Sequence, residues 1–216
     1  MPVDDATIAA LAAVSTSALA NALDEHEVTG VITGLVPLGA GMRCAGRAVT
    51  VQETTGARGD YGPEDFRVGD IIDAAGPGDL VVIANAGAPV STWGGMASYA
   101  ARAKKLAGLL VDGAVRDRDE IVGFGFPVFA RHVVPTTGRR RLKVERIGVP
   151  IEVGGGAVSP GDAIVADDTG IVCVPASIAA AVAERARRLG AEDDAAMRAI
   201  DQGLSFTEAM AKFRNI

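Results

Sequence analysis

Between residues 78 and 130 the chain reads strand, loop, helix, strand, turn, short helix, strand. That alternation restricts it to a layered α/β fold with at least partly parallel pairing. Leu80-Val81-Val82-Ile83, Leu109-Leu110-Val111 and Pro127-Val128-Phe129-Ala130 are short apolar runs that read as strands, the first two buried. Residues 97–107 predict a helix that starts at Trp93-Gly94-Gly95, and Asp119–Phe124 a short one. Pro77-Gly78-Asp79 precedes the first run, and Pro160-Gly161-Asp162 precedes Ala163-Ile164-Val165-Ala166. Pro-Gly suits the two centre positions of a type II turn, so each unit predicts a turn feeding a buried strand. Two copies form an internal echo, too few for a repeat protein.

The flanks are helical. Asp4–His26 carries Ile8, Leu11, Leu19 and Leu23 at helical spacing, with Asp4 or Asp5 as cap and a break at Val14–Ser17. Gly30–Val36 leads into a strand, and Ala45–Glu53 is a strand with Val49 and Val51 on one face. Thr54–Val68 is polar and glycine-containing and predicts a long loop. Ile151–Val174 is strand-rich. A helix then runs from Ser177, as N-cap, to about Leu189 and continues over Glu192–Gln202; Ser205 caps a last helix to Phe213. One domain over 1–216 is expected, with N-terminal helices at 4–26, a core at about 30–175 and C-terminal helices at 177–213.

The net charge of −6 makes a nucleic-acid binder a poor fit, because phosphate contacts need a basic face. Aromatics are only 4%, which weakens any base- or sugar-stacking surface. No apolar run reaches the roughly 18–20 residues that span a bilayer. Cys44 and Cys173 sit inside apolar runs, which speaks against a disulfide framework and for a reducing cytoplasm. No secretory leader pattern opens the chain.

Loops that leave strand C-termini are the favoured sites in α/β layers. One such loop, Gly87–Gly95, ends in Gly94-Gly95-Met96-Ala97 at a helix start, where bare N–H groups and the helix dipole make an anion site. It is neither a GxxxxGK[ST] phosphate loop nor GxGxxG. The other, Asp112–Asp117, sets Arg116 beside Asp117; the carboxylate suits a hard cation and the guanidinium suits substrate charge. His26 and His132 lack partners at zinc-ligand spacing. Ser91 and Ser98 lack His–Asp partners for a hydrolase triad. Cys173 reads as core, and Arg139-Arg140-Arg141 as a solvated surface or a subunit contact.

Trp93-Gly94-Gly95-Met96-Ala97, Val111-Asp112-Gly113-Ala114-Val115-Arg116-Asp117, Phe126-Pro127-Val128-Phe129-Ala130 and Ser159-Pro160-Gly161-Asp162 through Asp167-Asp168 occur in that order. In order and spacing, over about residues 40–175, the chain resembles the RraA-like family. That family includes the class II 4-hydroxy-4-methyl-2-oxoglutarate (HMG/CHA) aldolases, oxaloacetate decarboxylases and protein inhibitors of a ribonuclease. The resemblance implies a swivelling β/β/α domain, homotrimers or homohexamers with sites at subunit interfaces, a divalent metal (Mg²⁺ or Mn²⁺) and small 2-oxo acid substrates. It implies Asp117 as the metal ligand, Arg116 on the 2-oxo oxygen, backbone N–H groups around Gly94, Gly95, Met96 and Ala97 on the carboxylate, and Glu192 reaching a neighbouring subunit's site.

The pattern departs from the family at one place. Active lyases carry an acid twenty-one residues before the Arg, ordering a metal-bound water that moves protons; here that position is Gly95. Glu53, Asp60, Glu64 and Asp65 are candidates to replace it. Three readings follow: a metal-dependent 2-oxo acid lyase working through a pyruvate enolate, an enzyme with a different reaction on a keto-sugar acid, and a non-catalytic regulator that binds another protein.

Overall fold

A computed structural model describes residues 1–213. The chain opens with helices α1 (Asp5–Ala12) and α2 (Thr16–Glu25), followed by short strands β1 (Val31–Ile32) and β2 (Val36–Pro37) and the long strand β3 (Cys44–Thr55). Next come α3 (Val68–Ala74), β4 (Asp79–Ala84), β5 (Ser91–Trp93), α4 (Gly95–Ala103), β6 (Gly108–Val115), α5 (Arg118–Phe124) and β7 (Val128–Val133). Strands β8 (Leu142–Ile147), β9 (Ile151–Val153), β10 (Gly156–Val158), β11 (Ala163–Ala166) and β12 (Ile171–Val174) precede α6 (Ala179–Asp201) and α7 (Phe206–Lys212).

One mixed sheet runs β1-β12-β11-β3-β4-β6-β7-β2, with β5 added to β6 and β8 to β3. The strands β3, β4, β6 and β7 are mutually parallel, as the alternation requires. Three buried clusters give the layers. Helices α3 to α5 cover one face over Val51, Val81, Ile83, Leu109 and Val111. The β9–β10 hairpin covers the other, with Ile151, Val153 and Val158 packed on Leu80, Val82 and Leu110. Leu11, Leu19 and Leu23 of α1 and α2 pack with α6 on Val165 and Val172. The expected β/β/α layering with flanking helices holds. Among the described residues no single helix is long and apolar enough to cross a membrane.

The two Pro-Gly-Asp units fold alike. Gly78 and Gly161 have φ of +82° and +86°, the third position of a type II turn. Asp79 Oδ2 accepts the Gly76 N–H at 2.8 Å and Asp162 Oδ2 accepts that of Ser159 at 2.8 Å. The strands that follow flank β3: Arg47 pairs with Asp79 on one side and with Ala163 on the other. Asp162 also accepts the Ala176 N–H at 2.9 Å and is nearly buried. Asp162→Ala is expected to lower stability by about 1–2 kcal/mol in urea unfolding, because the part-buried Ser159 and Ala176 N–H groups lose their acceptor.

Several expected boundaries move. Helix α3 and strands β5 and β8 are additional to the sequence reading; α3 is a short element whose apolar set Val68, Ile71, Ile72 has helical spacing. Strand β6 runs on to Val115, so Asp112 and Gly113 are strand residues rather than loop. The two C-terminal helical stretches form one helix, and its N-cap is Ile178, not Ser177. Asp4 and Ser205 do cap their helices through Thr7 and Glu208. Cys44 and Cys173 are free and buried, and burial pushes both thiols up to about 12.

Candidate functional site

The parallel strands point their C-terminal ends at one edge of the sheet, and the site forms there. The run Asp112-Gly113-Ala114-Val115-Arg116-Asp117 is divided by the sheet. Asp112 turns to the hairpin side, accepting from Arg131 Nε at 2.6 Å and from the Gly154 N–H at 3.0 Å. Gly113 makes room for Asn85, whose Cβ would stand 3.0 Å from a Cβ at 113. Past the end of β6, the Arg116 N–H donates to the Trp93 carbonyl at 2.9 Å, which holds the next two side chains beside α4.

Asp117 is the N-cap of α5 and adopts a left-handed backbone, φ 58° and ψ 41°. A non-glycine residue rarely sits there, and such strain gathers at functional sites. Its side chain does not cap its own helix. Oδ2 instead accepts the N–H of Gly95, the first residue of α4, at 3.1 Å, and lies 3.3 Å from Arg116 Nε. No hydrogen bond reaches Oδ1 among the described residues. Gly94 is a matter of room rather than of φ: a Cβ there would meet Asp117 Oδ2 at 2.5 Å and Arg116 Cγ at 3.0 Å. Gly94→Ala therefore displaces both side chains. It is expected to cost about 1–3 kcal/mol in thermal unfolding and roughly 10²-fold in any turnover that uses them.

Arg116 and Asp117 line a cleft of about 300 Å³. Phe66, Val68 and Ile72 form one apolar wall, and Met96, Ala97 and Ala100 of α4 another. The Met96 and Ala97 N–H groups at the start of α4 have no intrahelical acceptor, since the first such bond runs from Ser98 to the Gly94 carbonyl. The glycine-loop donors are thus divided: Gly95 gives its N–H to Asp117, while Met96 and Ala97 keep theirs. Arg139 and Thr137 also line the cleft, so the basic run brings one cation into it rather than lying wholly outside. Trp93 is buried and donates from Nε1 to Ser98 Oγ at 3.0 Å, and Ser91 Oγ donates to the Trp93 carbonyl. Both serines are tied into the wall.

The four acids proposed to replace the one missing at position 95 do not reach it. Asp60 and Asp65 accept the N–H groups of Ala57 and Gly62, and Glu64 packs against Gly62, so all three brace their own loop. Glu53 is fully buried on β3, where it accepts the Thr92 hydroxyl at 2.6 Å. Burial pushes its carboxyl up to about 8, the Thr92 hydroxyl opposing, and its Oε2 has no partner. The side chain that does lie on Gly95 is Glu120 of α5. It is three residues beyond Asp117, a spacing that shares a helix face, and that signal was present in the sequence. Glu192 lies on α6, 3.8 Å from Arg185, on a helix that packs with α1 and α2, and is not among the residues that line the cleft. His132 contacts the Gly87 carbonyl at 3.1 Å and His26 ends α2.

A divalent cation fits this donor set on one condition. No group of three or more His, Cys, Asp or Glu gathers to hold a metal among the described residues. Mg²⁺ does not need such a cage; one or two carboxylates suffice when water and substrate complete its shell. Asp117, with Oδ1 uncommitted, supplies that.

The Arg-Asp pair thus sits at the parallel edge of the sheet, facing a glycine-led helix start, and comparison with known sequences gives the family. The sequence model RraA-like (Aldolase/RraA) matches residues 16–173, and the chain belongs to that family. A protein of Halalkalibacterium halodurans, provisionally named 4-hydroxy-4-methyl-2-oxoglutarate aldolase, is 30% identical over 192 residues, 88% of this chain and 87% of that one. DlpA of Legionella pneumophila is 30% identical over 73% of this chain, which spans only 25% of DlpA. Among solved structures, an uncharacterized protein of Pseudomonas syringae superposes with TM-score 0.87 at 28% identity, covering 97% of this chain and 98% of that one. A Streptomyces coelicolor protein, described as an unusual member of the RNase ES inhibitor RraA family, superposes with TM-score 0.79 at 26% identity, over 94% and 99%.

Proposed function

We propose that this protein is a divalent-metal-dependent lyase that cleaves or decarboxylates a small 2-oxo acid through a pyruvate enolate. One observation carries the reading: Arg116 and Asp117 are turned into an apolar cleft beside the free Met96 and Ala97 N–H groups. The relation to the H. halodurans protein supports it.

The substrate carboxylate binds the Met96 and Ala97 N–H groups at the positive end of the α4 dipole. Arg116 donates to the 2-oxo oxygen, where negative charge gathers as the C3–C4 bond breaks. Asp117 would hold Mg²⁺ or Mn²⁺, and Glu192 is the residue that a neighbouring subunit would bring toward it. When bound, the ion acts as a Lewis acid on the 2-oxo group. The apolar walls from α3 and α4 keep water from the enolate, and Arg139 is placed for a second carboxylate or a hydroxyl on the part that leaves. Met96 and Tyr99 are 81% and 55% exposed on α4 beside the cleft, apolar surface that a second copy covers in a homotrimer or homohexamer.

The test is pyruvate release from oxaloacetate by the purified protein with Mg²⁺ or Mn²⁺, with and without chelator, after subtraction of the free-metal rate. No rate above that background in any 2-oxo acid tried, sugar-derived ones included, overturns the lyase. The likeness to the RNase ES inhibitor relative favours a second reading, a non-catalytic regulator. It requires stoichiometric inhibition of such a ribonuclease by a protein that turns over no 2-oxo acid.

A further inference from the structure

One buried titratable group has no part in the chemistry above. Glu53 stands in a row of positions that crosses the sheet two residues beyond Val51, Ile83 and Val111, and so on the same face. Val144 of β8 is its register partner, and on the other side Asn85 and Gly113 follow the paired residues Ala84 and Asp112. Its neighbours in the row are thus a valine and an uncharged amide, with a glycine next in line. Lys143 and Glu145, on either side of Val144, pair with each other, and Arg67 donates to the Val144 carbonyl and pairs with Asp70. Burial and Thr92 alone govern the proton on Glu53 among the described residues.

A carboxyl in such a row costs stability that an apolar side chain would not. Two features point to a use. Glu53 Oε1 and Thr92 Oγ1 stand 2.6 Å apart, and Thr92 lines the cleft, so the carboxyl is one side chain away from the ligand space. Glu53 Oε2 has no partner, which leaves Thr92 as the carboxyl's one hydrogen-bond partner among the described residues. A hydroxyl both gives and accepts, so this short bond can run in either direction. When Glu53 is protonated, its O–H can donate to Thr92 Oγ1, and the Thr92 proton is free to turn to the cleft. When Glu53 is ionised, Thr92 must donate to it. The cleft then meets only the hydroxyl lone pairs, with a negative charge behind them.

Resting on the function proposed above, we propose that Glu53 is a positioning residue: its protonated carboxyl donates to Thr92 Oγ1 and turns the Thr92 hydroxyl onto the anion bound in the cleft. Thr92 is then a substrate-binding donor beside Arg116 and the Met96 and Ala97 N–H groups. The anion and the Glu53 proton favour each other's binding, and by linkage the coupling is reciprocal.

The experiment is calorimetric titration of the purified protein with oxalate, a small dianion, in saturating Mg²⁺ from about pH 6.5 to about pH 9. Burial raises the Glu53 carboxyl to about 8, so wild-type affinity is expected to be level up to about pH 7 and to fall by up to about tenfold by about pH 9. Near pH 8 about half a proton is taken up per oxalate bound, read as the difference in heat between Tris and HEPES buffers. KM for oxaloacetate is expected to rise with pH in the same way. In Glu53→Gln the amide still donates to Thr92 but does not ionise, so both the proton uptake and this fall in affinity disappear. Thr92→Val keeps the shape and loses the hydroxyl. It is expected to weaken oxalate about tenfold at pH 7 and to raise KM more than it lowers kcat, while Thr92→Ser recovers most of the loss.

Proton uptake that persists in Glu53→Gln overturns the inference alone. So does oxalate binding at wild-type strength in Thr92→Val, or a wild-type protein that binds oxalate or turns over oxaloacetate with no such pH dependence. A wild-type protein that neither binds oxalate at any pH nor releases pyruvate from oxaloacetate overturns the lyase itself, and the role of Glu53 with it.

Discussion

Asp117→Ala is expected to reduce metal-dependent pyruvate release from oxaloacetate by at least roughly 10²–10³-fold, toward the free-metal background, while the protein stays folded. The physical reason is the division of labour at the start of α5. Asp117 carries the one carboxylate in the cleft lining among the described residues, and in the proposed function a cation held there would offset the charge developing on the 2-oxo oxygen. Arg116→Ala removes the second source of positive charge and is expected to cost about 10²-fold. Both side chains are part-exposed and leave the β6–β7 core untouched, so circular dichroism and Tm should change little. There is a further signature: alanine at 117 has no reason to hold a left-handed backbone, so the start of α5 loosens and hydrogen exchange near Gly95 rises. Full activity in either variant would sink the assignment.

The second large effect concerns stability rather than turnover. Glu53 is fully buried, and burial raises its carboxyl from 4.5 to about 8, so the folded protein keeps the proton that the unfolded chain gives up. The sign follows from linkage. Below about pH 4.5 both states are protonated and the folded state carries no penalty. Between 4.5 and about 8 only the unfolded state ionises, and stability falls by about 1.4 kcal/mol per pH unit from this group, several kcal/mol across the window at most. Glu53→Gln removes the titration and keeps a polar partner for Thr92. The variant is expected to match the wild type near pH 4.5 and to exceed it increasingly toward pH 8, by urea unfolding at each pH. Parallel stability curves for the two proteins would contradict a neutral Glu53.

The central sheet was legible because its signals are local. Unbroken apolar runs, two Pro-Gly-Asp turns with glycine at positive φ, and the strand–helix alternation all declare themselves within about ten residues. The flanking helices announced themselves through Asp4 and Ser205 caps for the same reason. Helix α3, strand β5 and strand β8 were not legible. Each is a short segment, and they form because the central sheet offers them an edge or a face: β8 adds to β3 across a bulge at Gln52/Glu53, β5 adds to β6, and α3 packs Ile71 into the core beneath it.

Sequence alone determined the Arg116-Asp117 pair, the glycine-led helix start, and their place at the ends of parallel strands, because spacing along one chain is sufficient to put them there. Only the tertiary structure decided what each residue faces. It sent Asp112 to Arg131 on one side of the sheet and Asp117 to Gly95 on the other. It spent the loop acids Asp60 and Asp65 on their own turns and sealed Glu53 under Thr92. It drew Arg139 into the cleft from a run that reads as surface, and it laid Glu120 on Gly95. The reason is that a side chain's role depends on which neighbours compete for its oxygens and nitrogens, and those neighbours come from segments far apart in the chain.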